Sequence, residues 1–210
     1  DQGDDVQRYP LADIPLTCDG ALDFQVENAM AAIAAAWALG LDTDSVRAGL
    51  ANFVNDAATA PGRFNRYAYR GATVIADYGH NPDAIGALVK AIDNLPATRR
   101  SVVISGAGDR RDIDIRRQTE ILGEAFDDVL LYEDQCQRGR ADGEVLGLLR
   151  DGLSNASRTR NIQEIRGEFV AIDTALAALQ PGDLCLILID QVDEALNHIA
   201  QRVQEAQAAA

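Results

Sequence analysis

Three short segments gather residue types able to do chemistry, and each follows an apolar run. The first is Asp77-Tyr78-Gly79-His80-Asn81-Pro82, after residues 73–76. Asparagine is a good helix N-cap and proline suits the first helical position, so a helix start alone explains Asn81 and Pro82. Asp77, Tyr78 and His80 are left at a strand end facing that helix N-terminus. Free N–H donors and the helix dipole can hold an anion or a nucleotide group there, and a carboxylate can accept from ribose hydroxyls. An ordinary tight turn accounts for the same residues, and both readings stand. The second segment, Ser105-Gly106-Ala107-Gly108-Asp109-Arg110-Arg111-Asp112, combines glycines that permit close backbone approach with arginines suited to phosphate or carboxylate. A surface Asp–Arg pair is the simpler account of it. The third runs from Tyr132 through Glu133, Asp134, Gln135, Cys136, Gln137, Arg138 and Gly139 to Arg140. Carboxylates for an ammonium or guanidinium and arginine for a carboxylate suit recognition of an amino acid. A solvated charged loop has the same composition.

The sequence also narrows the chemistry by what it lacks. Lys90 is the only lysine of the 210 residues and follows Ala87-Leu88-Val89 within a helical pattern, and no G-x-x-x-x-G-K-[ST] segment occurs. No Ser-His-Asp order or Cys-His pairing stands out, so no catalytic residue is assigned. Cys18, Cys136 and Cys185 are odd in number and widely spaced, which suits reduced thiols in a cytoplasmic protein. His80 and His198 are too far apart in sequence to suggest a multi-histidine metal site. No metal ligands are assigned, although a site made of carboxylates alone stays open. The net charge of −14, without a basic stripe, argues against nucleic acid as a partner. No apolar run approaches the roughly 20 residues that span a bilayer, so no membrane role is expected. The chain begins with Asp1 rather than Met and shows no signal-peptide pattern, so a piece of a longer chain is expected.

The elements that must position these loops are legible as a pattern. Val26, Met30, Ile33 and Trp37 recur at helical spacing, with Gly40 as a stop. Asp42 or Thr43 can cap a second helix carrying Val46, Leu50 and Phe53. Residues 55–62 are small and polar and end in Pro61-Gly62, which places a boundary between residues 1–60 and 61–210. Beyond it, residues 64–69 read as a strand turned by Arg70-Gly71. Apolar runs at 73–76, 101–105, 129–132, the weaker 161–165 and 184–189 then alternate with helical segments. Short, unbroken apolar strands suit a sheet covered on both faces, and the alternation implies a mostly parallel, Rossmann-like α/β sheet. Ligands of such sheets sit beyond the carboxyl ends of the strands, at loops starting near residues 77, 106, 133 and 190.

These segments together resemble the C-terminal region of the Mur ligases, which include folylpolyglutamate synthetases and cyanophycin synthetases. Asp77-Tyr78-Gly79-His80-Asn81-Pro82 is similar to their D-Y-A-H-N-P segment, with Gly79 where alanine is usual. Pro61-Gly62-Arg63-Phe64 resembles the P-G-R-x junction, and Glu27-Asn28-Ala29-Met30-Ala31-Ala32 resembles the N-x-L-A-A helix that ends the central ATPase domain. Gly108-Asp109-Arg110-Arg111-Asp112 is similar to the cyanophycin-synthetase type, as are Glu133-Asp134 with Arg138-Gly139-Arg140 and Gly143-Glu144, Pro181-Gly182-Asp183-Leu184, and Asp190-Gln191-Val192. Gln135, Cys136 and Gln137 replace a more acidic stretch.

The resemblance implies that residues 1–60 are a remnant of the central ATPase domain with its linker, and that 61–210 form a Mur ligase C-terminal domain. It implies an ATP-dependent ligase that activates a carboxylate as an acyl phosphate for attack by an amine. In the cyanophycin type, the amine belongs to arginine and the carboxylate to an aspartate side chain of an acidic polymer. By matching position, Arg63, Asp77, His80 and Asn81 would contact nucleotide. Asp109, Arg110, Glu133, Asp134, Arg138 and Arg140 are the candidates for the incoming amino acid. Mg2+ would be held outside this chain, and a homo-oligomer is suggested. A peptidoglycan or folate-type ligase is the nearest alternative. A non-catalytic α/β module that binds a ligand or partner is the alternative of another class. With no phosphate loop in its sequence, the chain alone is expected to fold yet release no phosphate from ATP. Turnover by the pure chain would contradict this.

Overall fold

Alanine dominates the first helix, α1 (Asp23–Ala38), and hides which of its faces is buried. The sequence pattern selects the face of Val26, Met30 and Trp37, yet Met30 is 63% exposed while Leu22, Gln25 and Ala29 are buried. Small Ala29 permits close approach, and α1 packs on the short helical turn at Pro15–Thr17, which in turn packs on the one at Leu11–Asp13. The second helix, α2 (Thr43–Asn52), starts at Asp42, whose side chain accepts from the Ser45 N–H at 2.9 Å. The computed structural model describes residues 6–133 and 137–209. It divides into two compact units, Asp1–Asn55 and Asp56–Ala210.

The larger unit is a six-stranded sheet with helices on both faces. Its first two strands, β1 (Asn65–Tyr69) and β2 (Ala72–Asp77), form an antiparallel hairpin. The turn residues Arg70 and Gly71 both have positive φ, at 49° and 80°, the conformation that a two-residue hairpin loop demands. Then follow α3 (Pro82–Asp93), β3 (Arg100–Ile104), α4 (Asp112–Ala125), β4 (Asp128–Glu133) and α5 (Glu144–Gly152). The chain ends with β5 (Asn161–Arg166), α6 (Glu168–Ala178), β6 (Leu184–Leu188) and α7 (Val192–Ala208). The spatial order is β1-β2-β6-β3-β4-β5, parallel except for β1 against β2. The mostly parallel α/β expectation therefore holds. The weaker apolar run forms the edge strand β5, which is largely exposed.

Side-chain alternation along each strand feeds two cores. Val74, Ala76, Val103, Leu130, Tyr132, Cys185 and Ile187 share a core with Ala171, Ile172 and Leu176 of α6 and with Leu196, Ile199 and Val203 of α7. The intervening residues Ile75, Val102, Ile104, Val129, Leu131 and Leu186 are equally buried, and α3, α4 and α5 pack side by side. Strand β6 is buried along its whole length because it lies between β2 and β3 with helices on either face. Its insertion there places the carboxyl ends of β2, β6, β3 and β4 next to one another. Leu186→Ala is expected to cost about 2–5 kcal/mol. It should lower the urea midpoint and leave the slope unchanged; a midpoint within error of wild type would contradict this burial.

Candidate functional site

Asp77 ends β2 and is almost wholly buried, at 6% exposure. Its Oδ2 accepts the Phe64 N–H at 2.8 Å, and Tyr78 N donates to Gly62 O at 2.8 Å. The segment of Gly62 to Phe64 is thus clasped to the end of β2. Phe64 is itself buried and held at φ 54°, a conformation that bulky residues adopt only when surroundings impose it. Burial pushes the Asp77 carboxyl from 3.8 up to about 6, against the pull of the Phe64 N–H and the nearby Arg63 charge. Arg63 itself is exposed.

Asn81 caps α3 by accepting from Ala84 N at 2.8 Å, with Pro82 at the first helical position, as the sequence reading requires. His80, between the strand end and the cap, is held on three sides. Its carbonyl accepts from Gln118, which is buried on α4. Its ring lies 4.3 Å from the Tyr78 ring, and Nδ1 is 2.9 Å from the Tyr78 carbonyl. A carbonyl only accepts, so the proton of the neutral ring sits on Nδ1 and Nε2 offers a lone pair. Burial lowers the proton affinity of this histidine, partly offset by the Tyr78 carbonyl and Asp190. Nε2 faces Asp190 Oδ1 at 3.6 Å.

Arg138 joins this group from the loop after β4. Its Nη2 is 3.1 Å from Asp190 Oδ1 and its Nη1 is 3.6 Å from Asp109 Oδ1. Its charge also interacts with the Tyr78 side chain. Arg138 lies at φ 48°, the left-handed region disfavoured outside glycine. Loops after β2, β3, β4 and β6 therefore converge on one cluster of His80, Asp109, Arg138 and Asp190, with Tyr78 beside it.

The remaining candidates are committed to holding the loops. Both Glu133 oxygens accept from Gly143 N, at 2.8 and 3.1 Å, and the residue is 4% exposed. Arg140 Nε donates to Gly108 O at 2.7 Å and Nη2 to Arg110 O at 2.7 Å, while ion pairs reach Asp112 and Glu144 at 2.8 and 2.7 Å. It clamps the loop after β4 onto the loop after β3. A side chain at Gly108 would come 2.1 Å from Gln137 O, so the two loops interlock only with glycine there. Arg110 is exposed and contributes positive charge near His80. Asp134 and Cys136 lie outside the described residues.

Two acidic residues at this sheet edge receive no role from the sequence. Asp190 sits in a loop that the strand-end rule marks for inspection, yet no local motif gives it a partner. Glu168 looks like an ordinary residue of a helix first turn. It is 1% exposed and accepts from Asp190 N, Gln191 N and Gln191 Nε2, and burial raises its pKa. The other reactive types have structural duties. Cys185 is fully buried with its thiol pushed up to about 12, and His198 pairs with Asp173 between α6 and α7.

The family model described as Mur ligase, glutamate ligase domain matches residues 62–188, the span that carries all four converging loops except the residues just after β6. The chain belongs to this Mur ligase family. It is 34% identical over 189 residues to a cyanophycin synthetase of Crocosphaera subtropica, a match covering 90% of this chain and 22% of that protein. A UDP-N-acetylmuramoyl-L-alanyl-D-glutamate–2,6-diaminopimelate ligase of Geobacter metallireducens is 30% identical over 195 residues, covering 85% and 37%. Among solved structures, E. coli FolC in complex with ADP, without folate substrate, superposes with a TM-score of 0.64 at 27% identity, covering 87% and 40%. This Mur ligase chain thus spans 22% of the length of the cyanophycin synthetase it matches.

The buried carboxylate gives a pH signature. Well below pH 3.8, Asp77 is protonated in both states. As pH rises toward 6 the unfolded chain ionises first, so stability falls through this window and then levels. Asp77→Asn keeps an acceptor for Phe64 N–H and loses the titration. Urea unfolding at pH 4 and pH 7 should show wild type losing roughly 2–3 kcal/mol relative to the variant. Parallel profiles would show that the carboxyl titrates normally.

Proposed function

We propose that this chain is the C-terminal part of an ATP-dependent carbon–nitrogen ligase that joins arginine to the aspartate side-chain carboxylates of an acidic polymer. The observation that carries the reading is the 34% identity to a cyanophycin synthetase over 90% of the chain, whose matched length includes the clustered loops. In the reaction, a carboxylate oxygen attacks the γ-phosphorus of ATP to give an acyl phosphate and ADP. The arginine α-amine then attacks the acyl carbon, loses a proton and expels phosphate. The chain's own residues bind and orient. Asp77, His80 and Asn81 form the nucleotide side, with Arg63 approaching from the junction. The acidic Asp109 suits a guanidinium or ammonium, and Arg138 and Arg110 suit a carboxylate. Glu133 and Arg140 act by shaping the loop that carries Arg138, and Asp134 remains a candidate in that loop.

The nucleotide side offers an edge contact rather than a triphosphate cradle. Asn81 is occupied by its cap, Pro82 has no N–H, and the sequence holds no phosphate loop. Among the described residues no group of three or more His, Cys, Asp or Glu is placed to hold a metal. We propose that Mg2+ is held outside the described residues. No helix among the described residues is long and apolar enough to cross a membrane. The 30% identity to a diaminopimelate-adding ligase supports a second reading, with a different amine on the same cluster.

Amine-dependent phosphate release by the full-length protein separates the two. Release should require both arginine and a poly-aspartate primer, and Arg138→Ala should raise the KM for arginine roughly tenfold or more. Turnover with diaminopimelate and none with arginine would refute the arginine assignment.

A further inference from the structure

Asp190 has no role in the reading so far, yet it is the residue on which the two sides of the site meet. Ile189 N donates to Asp77 O at 2.9 Å, so the end of β6 is locked to the end of β2. One residue on, Asp190 Oδ1 stands 3.1 Å from Arg138 Nη2 and 3.6 Å from His80 Nε2. The first contact reaches the loop after β4 and the second the loop after β2. Below it lies Glu168, at the start of α6. One Glu168 oxygen takes Asp190 N at 2.8 Å and the other takes Gln191 N at 3.1 Å. A buried carboxylate serving two adjacent backbone N–H groups fixes the loop as a unit. A carboxamide puts an NH2 group where one of these two oxygens stands, and a donor there cannot accept that backbone N–H.

We infer that Asp190, set in place by the buried Glu168, is a positioning residue that fixes the His80 loop and the Arg138 loop relative to each other. The joint itself stands on the contacts above; that it positions a nucleotide side against an amino-acid side rests on the proposed ligase function. Without Asp190, the ion pair left to Arg138 among the described residues is the longer one to Asp109, and the charges acting on His80 are those of Arg138 and Arg110.

His80 reports on this joint directly. The groups facing it are Asp190 from the loop after β6, Arg138 from the loop after β4, Arg110 from the loop after β3, and the carbonyl of Tyr78 in its own loop. Asp190 and the carbonyl favour the protonated ring, and the two arginines oppose it. The sequence has only one other histidine, His198, whose partner Asp173 lies elsewhere in the fold. Its titration is an internal control.

Imidazole resonances of this chain are to be titrated by NMR in wild type, Asp190→Asn, Glu168→Gln and the double variant. Asp190→Asn should lower the His80 midpoint by roughly half a pH unit or more and leave His198 in place. Glu168→Gln should lower it in the same direction, and the double variant should fall no further than Asp190→Asn alone. An unchanged His80 midpoint in Asp190→Asn, or in a folded Glu168→Gln, overturns the joint. Should Glu168→Gln not fold, amide exchange at Asp190 and Gln191 in wild type decides the Glu168 step: protection supports it and open-chain rates overturn it. In the full-length enzyme, Asp190→Asn should raise KM for ATP and arginine together, several-fold each, with a smaller change in kcat. Unchanged KM for both overturns the positioning role. A wild-type enzyme that ligates no arginine would refute the proposed substrate, while the His80 titration would still judge the joint.

Discussion

Parallel pairing of β6 against β2 is the constraint from which the site follows. It sets Asp77 beside Leu188 and brings the loop of His80 against the loop of Asp190. Inserting β6 between β2 and β3 also makes four strand ends neighbours, although their residues are scattered from 77 to 190 in sequence. The apolar cost of misplacing β6 is large because every one of its side chains is buried. A one-residue slip would exchange the two cores, so the register that stabilises the sheet also positions the charges at its edge.

The edge is held by groups that already carry structural hydrogen bonds to backbone. Asp77 grips Phe64, Glu133 grips Gly143, Glu168 grips Asp190 and Gln191, and Arg140 spans two loops. Buried carboxylates that accept backbone N–H groups are costly to leave unmatched, which makes them good fixtures. Beside them lie Tyr78, His80, Asp109, Arg110 and Arg138, mixed in charge, the set to which the proposed function gives the nucleotide and the amino acid.

Much of this was legible in the sequence. The strands announce themselves as unbroken apolar runs, the Asn81-Pro82 cap by local chemistry, and the strand-end loops by the α/β rule. The faces of α1 were not legible, because an alanine-rich helix has no strong apolar stripe. Nor could sequence separate fixtures from ligand-facing groups. Glu133 and Asp109 are both acidic residues in charged loops, and only the fold shows one buried under Gly143 and the other exposed. The Arg138–Asp190 contact spans 52 positions, and no local motif encodes it. Asp134 falls outside the described residues.

In the proposed function, charges from separate loops act as one amino-acid-recognising unit around Arg138. A double-mutant cycle of Asp109→Asn and Asp190→Asn, read as KM for arginine in the full-length enzyme, tests it most directly. Both carboxylates share Arg138, so the two effects should couple by more than about 0.5 kcal/mol. Strictly additive effects would contradict a shared site.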